Sequence, residues 1–215
     1  MKKKLLLFYC ICVGTVLSAQ STAGIAGKID TSYSTFSAYK NDVKTHPDIK
    51  IAGEFKLSSV QKKKNITYCK TVNRSLKLDV FAPVSKQRSG KTGIIIIHGG
   101  GWRSGNRTQH YTLAQQLAAL GYVCFTPEYR LSTEALFPAG VFDINAVISW
   151  VRKNALQYHI DTSKIVAMGF SAGGELAAFM GTTGNMPLFE GTHYNTETKC
   201  KCGGGHCWHP IICAS

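Results

Sequence analysis

Gly169-Phe170-Ser171-Ala172-Gly173 has the spacing G-x-S-x-G, and Gly174 extends it. A serine hydroxyl becomes a nucleophile when the backbone holds it in a strained turn between a strand and a helix, its oxygen pushed into an open site. Side chains two residues to either side would collide with neighbouring backbone, so glycine is needed there. The context agrees: Ile165-Val166-Ala167-Met168 reads as a strand running into the motif, and a helix-forming stretch through Leu176 to Met180 leaves it. The plain alternative is a serine that merely caps a helix.

His98-Gly99-Gly100-Gly101-Trp102 follows directly on Ile94-Ile95-Ile96-Ile97. Three glycines let backbone approach a ligand and turn N–H groups toward it. A phosphate cradle needs Lys-Ser or Lys-Thr after the glycines, or the spacing G-x-G-x-x-G, and neither is present. An oxyanion hole fits better. Gly100 and Gly101 would supply amide donors, and Ala172, one past Ser171, would supply another. His98 is expected to order the loop; it precedes Ser171, the wrong side for the chain order serine, acid, histidine.

These two loops require a particular scaffold. Four β-branched residues in a row leave no polar face, so Ile94–Ile97 is a strand buried on both sides. Asn65 to Pro83 alternates as strands, Val84 to Thr92 reads as a polar loop, and Tyr122 to Phe125 as a further strand. Thr108 to Leu120 and Phe142 to Asn154 carry helical periodicity, with Gly121 ending the first. Asp161-Thr162-Ser163-Lys164 reads as a polar turn. Strand and helix alternate, which predicts an α/β fold around a mostly parallel sheet with right-handed crossovers.

The chain has 215 residues, 44% hydrophobic and 17% charged, enough to fill one ordinary core and too apolar for wholesale disorder. The net charge of +13 is spread out, so a nucleic-acid partner is not expected. Residues 1–19 have the layout of a signal peptide: Lys2–Lys4, an uncharged run from Leu5 to Leu17, then Ser18-Ala19. The run is shorter than the ~20 residues of a spanning helix, so cleavage and export, periplasmic or secreted, are expected without stable membrane insertion. Residues 20–59 read as a loose leader, 60–190 as the domain and 191–215 as an atypical Cys-rich tail. Cys69 and Cys124 are expected as plain buried thiols.

The two motifs together make the sequence resemble the α/β-hydrolase superfamily. It is similar to the HGGG-bearing esterases, and most to bacterial exported feruloyl and acetyl-xylan esterases of the BD-FAE type. The resemblance runs from about Ile66 to Thr183 and includes Leu78-Asp79-Val80, Tyr129-Arg130-Leu131, Phe137-Pro138-Ala139, Asp143, Trp150 and Ile160-Asp161. It implies a three-layer sheet fold and an acyl-enzyme on Ser171, formed from carboxylic esters on plant polysaccharide or other sugars. It implies no cofactor and no metal. Asp143 would brace a helix rather than serve as the triad acid. Glu175 stands where relatives often carry histidine. Trp102 would line an acyl or sugar pocket, or equally belong to the core.

In that superfamily the acid and the histidine follow later strands. The chain ends at Ser215, short of the ~60 residues that two more strand–helix units require. His193, His206 and His209 have no strand to position them. The tail Cys200-Lys201-Cys202 to Cys207-Trp208-His209 does not fit a recognised zinc spacing, and a pair of disulfides, with three possible connectivities, is open to an exported chain. A truncation or frameshift is therefore expected, with Gly203-Gly204-Gly205 as a shifted valine-rich strand, and poor solubility and feeble activity with it. The alternatives are a non-catalytic fragment, or an exported peptidase or lipase on the same fold. Sequencing the gene beyond codon 190 tests the frameshift: the expected result is a valine-rich continuation in the next frame with a downstream aspartate and histidine, and an intact frame removes the idea.

Overall fold

The computed structural model describes residues 25–85, 90–183 and 186–189. The candidate signal peptide, the Cys-rich tail, His193, His206 and His209 lie outside the described residues. Five strands form one sheet: β1 (Val60–Lys70), β2 (Ser75–Pro83), β3 (Lys91–Ile97), β4 (Val123–Pro127) and β5 (Ile160–Gly169), in the order β1-β2-β4-β3-β5. β1 and β2 are antiparallel, as are β2 and β4, whereas β3 is parallel to both β4 and β5. The helices are α1 (Thr35–Asp42), α2 (Tyr111–Ala119), α3 (Ala139–Lys153), α4 (Ala155–Tyr158) and α5 (Ala172–Thr183). This is a mixed sheet with helices on both faces, the α/β-hydrolase architecture that the alternation predicts.

The isoleucine run of β3 shows how the three layers form. Side chains on a strand alternate between faces. Ile95 and Ile97 join the larger cluster with Val141, Ile144, Val147 and Val151 of α3 and Leu176 and Met180 of α5. Ile94 and Ile96 join a second cluster with Tyr111, Ala114 and Ala118 of α2. All four isoleucines are buried. An alternating polar residue here would have left one helical layer without a floor.

A buried ionic network lies beneath α2. Asp79 is fully buried on β2. Arg107 Nε donates to it at 2.8 Å, the Asn65 amide donates at 2.5 Å, and the Tyr111 hydroxyl donates as well. Asn65, at φ 62°, sits at the irregularity in the β1–β2 register, which turns its amide inward. Arg107 also pairs with Glu128 at 3.1 Å. Arg107 opens the short 3-10 turn Arg107–His110 that leads into α2. The helical pattern starting at Thr108 is thus a 3-10 turn followed by α2.

Two expectations are corrected. Asp161–Lys164 is not a separate turn: β5 runs through it, and the four residues are accommodated between the pairings Lys91–Ile160 and Gly93–Ile165. The turn chemistry survives as a bulge, with Asp161 Oδ1 accepting from the Ser163 amide at 2.9 Å and its hydroxyl at 2.6 Å. Cys69 is buried as expected but is not a plain thiol: it is disulfide-bonded. Cys124 is the free buried thiol, pushed up to about 12 by burial.

Residues 25–59 carry α1 and are tied to the domain at both ends. The Ala26 and Gly27 amides donate to the Thr133 carbonyl at 3.0 Å. At the other end, fully buried Gln115 of α2 clasps the Phe55 backbone: its Oε1 accepts from the Phe55 amide at 2.9 Å and its Nε2 donates to the Phe55 carbonyl at 2.7 Å. The Thr112 hydroxyl donates to the Ala52 carbonyl at 3.1 Å.

The network yields a stability prediction. Arg107→Ala leaves Asp79 as a buried, uncompensated charge and should cost about 3–5 kcal/mol. Urea unfolding of the variant beside the parent chain checks it, and a loss below about 1 kcal/mol contradicts it.

Candidate active site

β3 and β5 are parallel neighbours, and the register Ile97–Gly169 brings their C-terminal ends level. The two glycine-bearing loops therefore emerge side by side, where ligands bind on open α/β sheets. Ser171 occupies the turn at φ 52°, in the left-handed region that a residue with a β-carbon rarely adopts, and it is exposed. The Gly173 amide donates to the Phe170 carbonyl at 2.9 Å and the Glu175 amide to the Ser171 carbonyl at 3.0 Å, which starts α5 directly behind the serine.

The glycines are there for want of room. A β-carbon on Gly169 would lie 2.2 Å from the Gly173 carbonyl oxygen, and one on Gly173 would lie 2.2 Å from the Ile97 carbonyl oxygen. A β-carbon on Gly99 would lie 2.6 Å from the Phe170 carbonyl oxygen and 3.3 Å from the Ser171 β-carbon. The two loops thus touch backbone to backbone, and Gly99 carries part of that contact.

The Gly100 carbonyl turns into its own loop. It accepts from the Ser104 amide and hydroxyl, each at 3.0 Å, and from the Arg103 amide at 3.2 Å. Among the described residues, no backbone hydrogen bond uses the amides of Gly100, Gly101 or Ala172 as donors. Gly99, Gly100, Gly101 and Ser171 line one cleft of about 260 Å³ with Tyr33, Ser104, Gln109, His110 and Phe170. Ala172 is buried at the first position of α5.

His98 does not face this cleft as a base. It is buried, stacks on Tyr129 with ring centroids 4.5 Å apart, and its Nδ1 pairs with the Gly99 carbonyl at 2.9 Å. The Tyr129 hydroxyl donates to the His98 carbonyl at 3.0 Å. Burial pushes the His98 imidazole down to about 4, so it is neutral and orders the glycine loop. Asp143 is likewise occupied: Arg130 Nη2 pairs with it at 2.9 Å and the Arg130 amide donates to it at 2.8 Å, while burial raises its carboxyl. It joins α3 to the segment after β4, as a brace does. Among the described residues no side chain hydrogen-bonds to Ser171.

Trp102 is shared between core and pocket wall. It packs partly buried against the larger core and lines a second, mostly apolar pocket of about 360 Å³ with Leu136, Phe137, Val141 and Phe179. Its indole donates to Glu175 Oε2 at 3.0 Å.

Sequence reasoning missed Tyr33, Gln109 and His110. Tyr33 comes from the segment read as a leader. His110 stacks on Phe170 at 4.6 Å, and burial lowers its imidazole. A histidine in helical periodicity carries no signal that distinguishes a cleft wall from a helix surface.

The BD-FAE family model matches residues 78–202, more than half of the chain. The chain belongs to the BD-FAE family. Esterase LipC of Mycobacterium tuberculosis is 36% identical to it over 98 residues, covering 45% of this chain and 24% of that protein. Rabbit arylacetamide deacetylase (Oryctolagus cuniculus) is 33% identical over 119 residues, covering 53% and 30%. A truncated carbohydrate esterase from gut microbiota superposes with a TM-score of 0.53 at 32% identity, covering 61% of this chain and 47% of that one. Esterase 2 of Thermogutta terrifontis, bound to propionate, superposes with a TM-score of 0.51 at 33% identity, covering 58% and 46%. The chain spans about a quarter to a third of the length of the curated relatives it matches.

The BD-FAE site carries a pH signature through His98. Folding holds its imidazole below the ordinary 6.5, so the unfolded chain binds the proton first as pH falls. The stabilising contribution is complete above pH 6.5 and disappears as pH drops from 6.5 to about 4. About 3 kcal/mol is at stake at 1.36 kcal/mol per unit. His98→Gln should remove that part of the slope in urea unfolding between pH 7 and 4; an identical slope in the variant contradicts it.

Proposed function

We propose that this chain carries the nucleophile and oxyanion machinery of a serine hydrolase of carboxylic esters. What carries the reading is one juxtaposition: exposed Ser171, at positive φ, shares a cleft with the Gly99–Gly101 loop, whose free amides answer the need of a developing oxyanion. Ser171 Oγ attacks the ester carbonyl carbon while its proton passes to a general base. The carbonyl oxygen takes the negative charge, held by the Gly100, Gly101 and Ala172 amides, each such donor being worth about 3–4 kcal/mol. The alcohol leaves with a proton, and water then releases the acid from the acyl-enzyme. No metal or organic cofactor enters these steps. Neither His98, buried and neutral, nor Asp143, committed to Arg130, serves as the base or its acid partner.

The substrates are acyl groups on plant polysaccharide or other sugars. The support is the family match and a solved neighbour that is a carbohydrate esterase. The apolar pocket beside Trp102 suits an acyl chain or ring. Export is part of the reading, supported by the layout of residues 1–19 and by the disulfide at Cys69, a bond that persists in oxidising compartments.

A fluorophosphonate probe tests the nucleophile. Labelling should occur on the parent chain and vanish in Ser171→Ala, whose thermal midpoint should stay within a few degrees because Ser171 is exposed. Acetate release from acetylated xylan, compared with a p-nitrophenyl ester, a lipid ester and a peptide, should favour the sugar ester and fall at least 10³-fold in the same variant. No labelling of the parent chain favours a non-catalytic fragment; preference for the peptide or lipid ester removes the sugar assignment.

A further inference from the structure

Trp102 closes the glycine run with its backbone at φ 65°, in the left-handed region that a residue with a bulky side chain rarely adopts. The other described residues of this kind each have a reason: Asn65 turns its amide to Asp79, His159 ends a helix and Ser171 forms the sharp turn. Strain of this sort persists where the surroundings hold it and a site uses it. Here the Trp102 carbonyl accepts from the Ser132 amide at 2.8 Å and the indole donates to Glu175 Oε2 at 3.0 Å. The turn sets the ring in the wall of the 360 Å³ pocket, beside Phe137 and Phe179.

The walls of that pocket are mostly apolar, yet one charge in them stands free. Arg130 also lines the pocket, but its guanidinium is answered by Asp143, Nε to Oδ2 at 2.9 Å and Nη2 to Oδ1 at 2.9 Å. Glu175 has no such answer. Among the described residues no cation pairs with its carboxylate, and no donor reaches its Oε1. It lies in the first turn of α5, its amide bonded to the Ser171 carbonyl, so this charge sits one helical turn from the serine.

Aromatic faces attract positive charge, and an unpaired carboxylate beside them attracts it further. The aliphatic wall decides which cation fits. A primary ammonium brings three N–H donors that Leu136 and Val141 leave unmet. A quaternary ammonium brings none, and its methyl groups pack on apolar surface. The chain's net charge of +13 opposes cations at long range, but salt screens that field beyond ~10 Å, whereas Glu175 acts at contact.

We infer that the pocket formed by Trp102, Phe137, Phe179 and Glu175 binds a quaternary ammonium group, carried by the ester that Ser171 attacks. The ammonium site stands on the pocket itself; its occupant being part of the substrate rests on the serine-hydrolase reading above.

The test uses choline and 3,3-dimethylbutan-1-ol, which share a shape and differ in one atom, a charged nitrogen against a neutral carbon. Dissociation constants are read on the full chain from the NMR shift of the Trp102 indole N–H, assigned by its loss in Trp102→Phe. Choline should bind at least fivefold tighter than the alcohol at low salt, and the ratio should fall as salt is added. Glu175→Gln keeps an oxygen for the indole and should bring the two constants within twofold of each other. Glu54→Gln, which removes the same charge from the Lys62 pair, should leave the ratio unchanged. Equal binding of the two probes by the parent chain, binding of neither, an unchanged ratio in Glu175→Gln or an equal loss in Glu54→Gln each overturns the ammonium site. Choline should also slow fluorophosphonate labelling of Ser171 more than the neutral alcohol does at the same concentration. Tight choline binding without that slowing overturns the substrate assignment alone. Absence of any labelling of the parent chain overturns the serine-hydrolase reading and the substrate assignment with it, while the ammonium site is decided by the binding ratio.

Discussion

The site depends on one backbone contact. Where β3 and β5 end side by side, the turn at Ser171 and the loop after His98 press together with no side chain between them. The missing β-carbons of Gly99 and Gly173 set the spacing, since each would fall within 2.6 Å of a carbonyl oxygen across the contact, and that of Gly169 lets the serine turn close on its own Gly173 carbonyl. Nothing softer would serve. A longer gap would move the amides away from the serine, and a closer one is blocked by the carbonyls themselves. The parallel pairing of β3 with β5 supplies the alignment, and the four isoleucines anchor β3 to a helical layer on each face.

Around that contact, the polar groups of His98, Asp143 and the Gly100 carbonyl are committed elsewhere. His98 is spent on the Gly99 carbonyl and the Tyr129 ring, Asp143 on Arg130, and the Gly100 carbonyl on Ser104 and Arg103. The amides of Gly100, Gly101 and Ala172 are left over beside it, and they are donors. This gives the cleft a directional polarity built from main chain, which costs no reorganisation as charge develops. Side-chain donors would have had to be ordered first.

Much of this was legible in the sequence. The glycine spacing around Ser171 and the glycines after the isoleucine run both follow from steric rules that leave few residue choices, and they point to two loops of known geometry. The three-layer sheet was legible because a run without polar alternation has one solution, burial on both faces. What was not legible depends on register or long-range pairing. The bulge at Asp161–Lys164 looks like a turn because its local hydrogen bonds are those of a turn; only the pairing of Ile160 with Lys91 reveals a continuous strand. The disulfide at Cys69 leaves no mark on the strand pattern around it. The N-terminal segment has weak periodicity because main-chain hydrogen bonds fasten much of it, and these impose few demands on side-chain type.

The Gln115 clasp on Phe55 acts as a single rung of ladder, offered by a side chain instead of a strand. A true strand could slide along its neighbour by two residues and find equivalent partners. The Gln115 amide on a buried helix face, with the Thr112 hydroxyl beside it on the Ala52 carbonyl, offers no repeating ladder, so the segment can seat in one place. Length in the chain between the clasp and the Thr133 anchor is therefore free to vary at the exposed 43–51 stretch, while the reach of the N-terminal segment over the serine stays constant. In such an arrangement a surface insertion changes the outline of the protein without changing the mouth of its cleft.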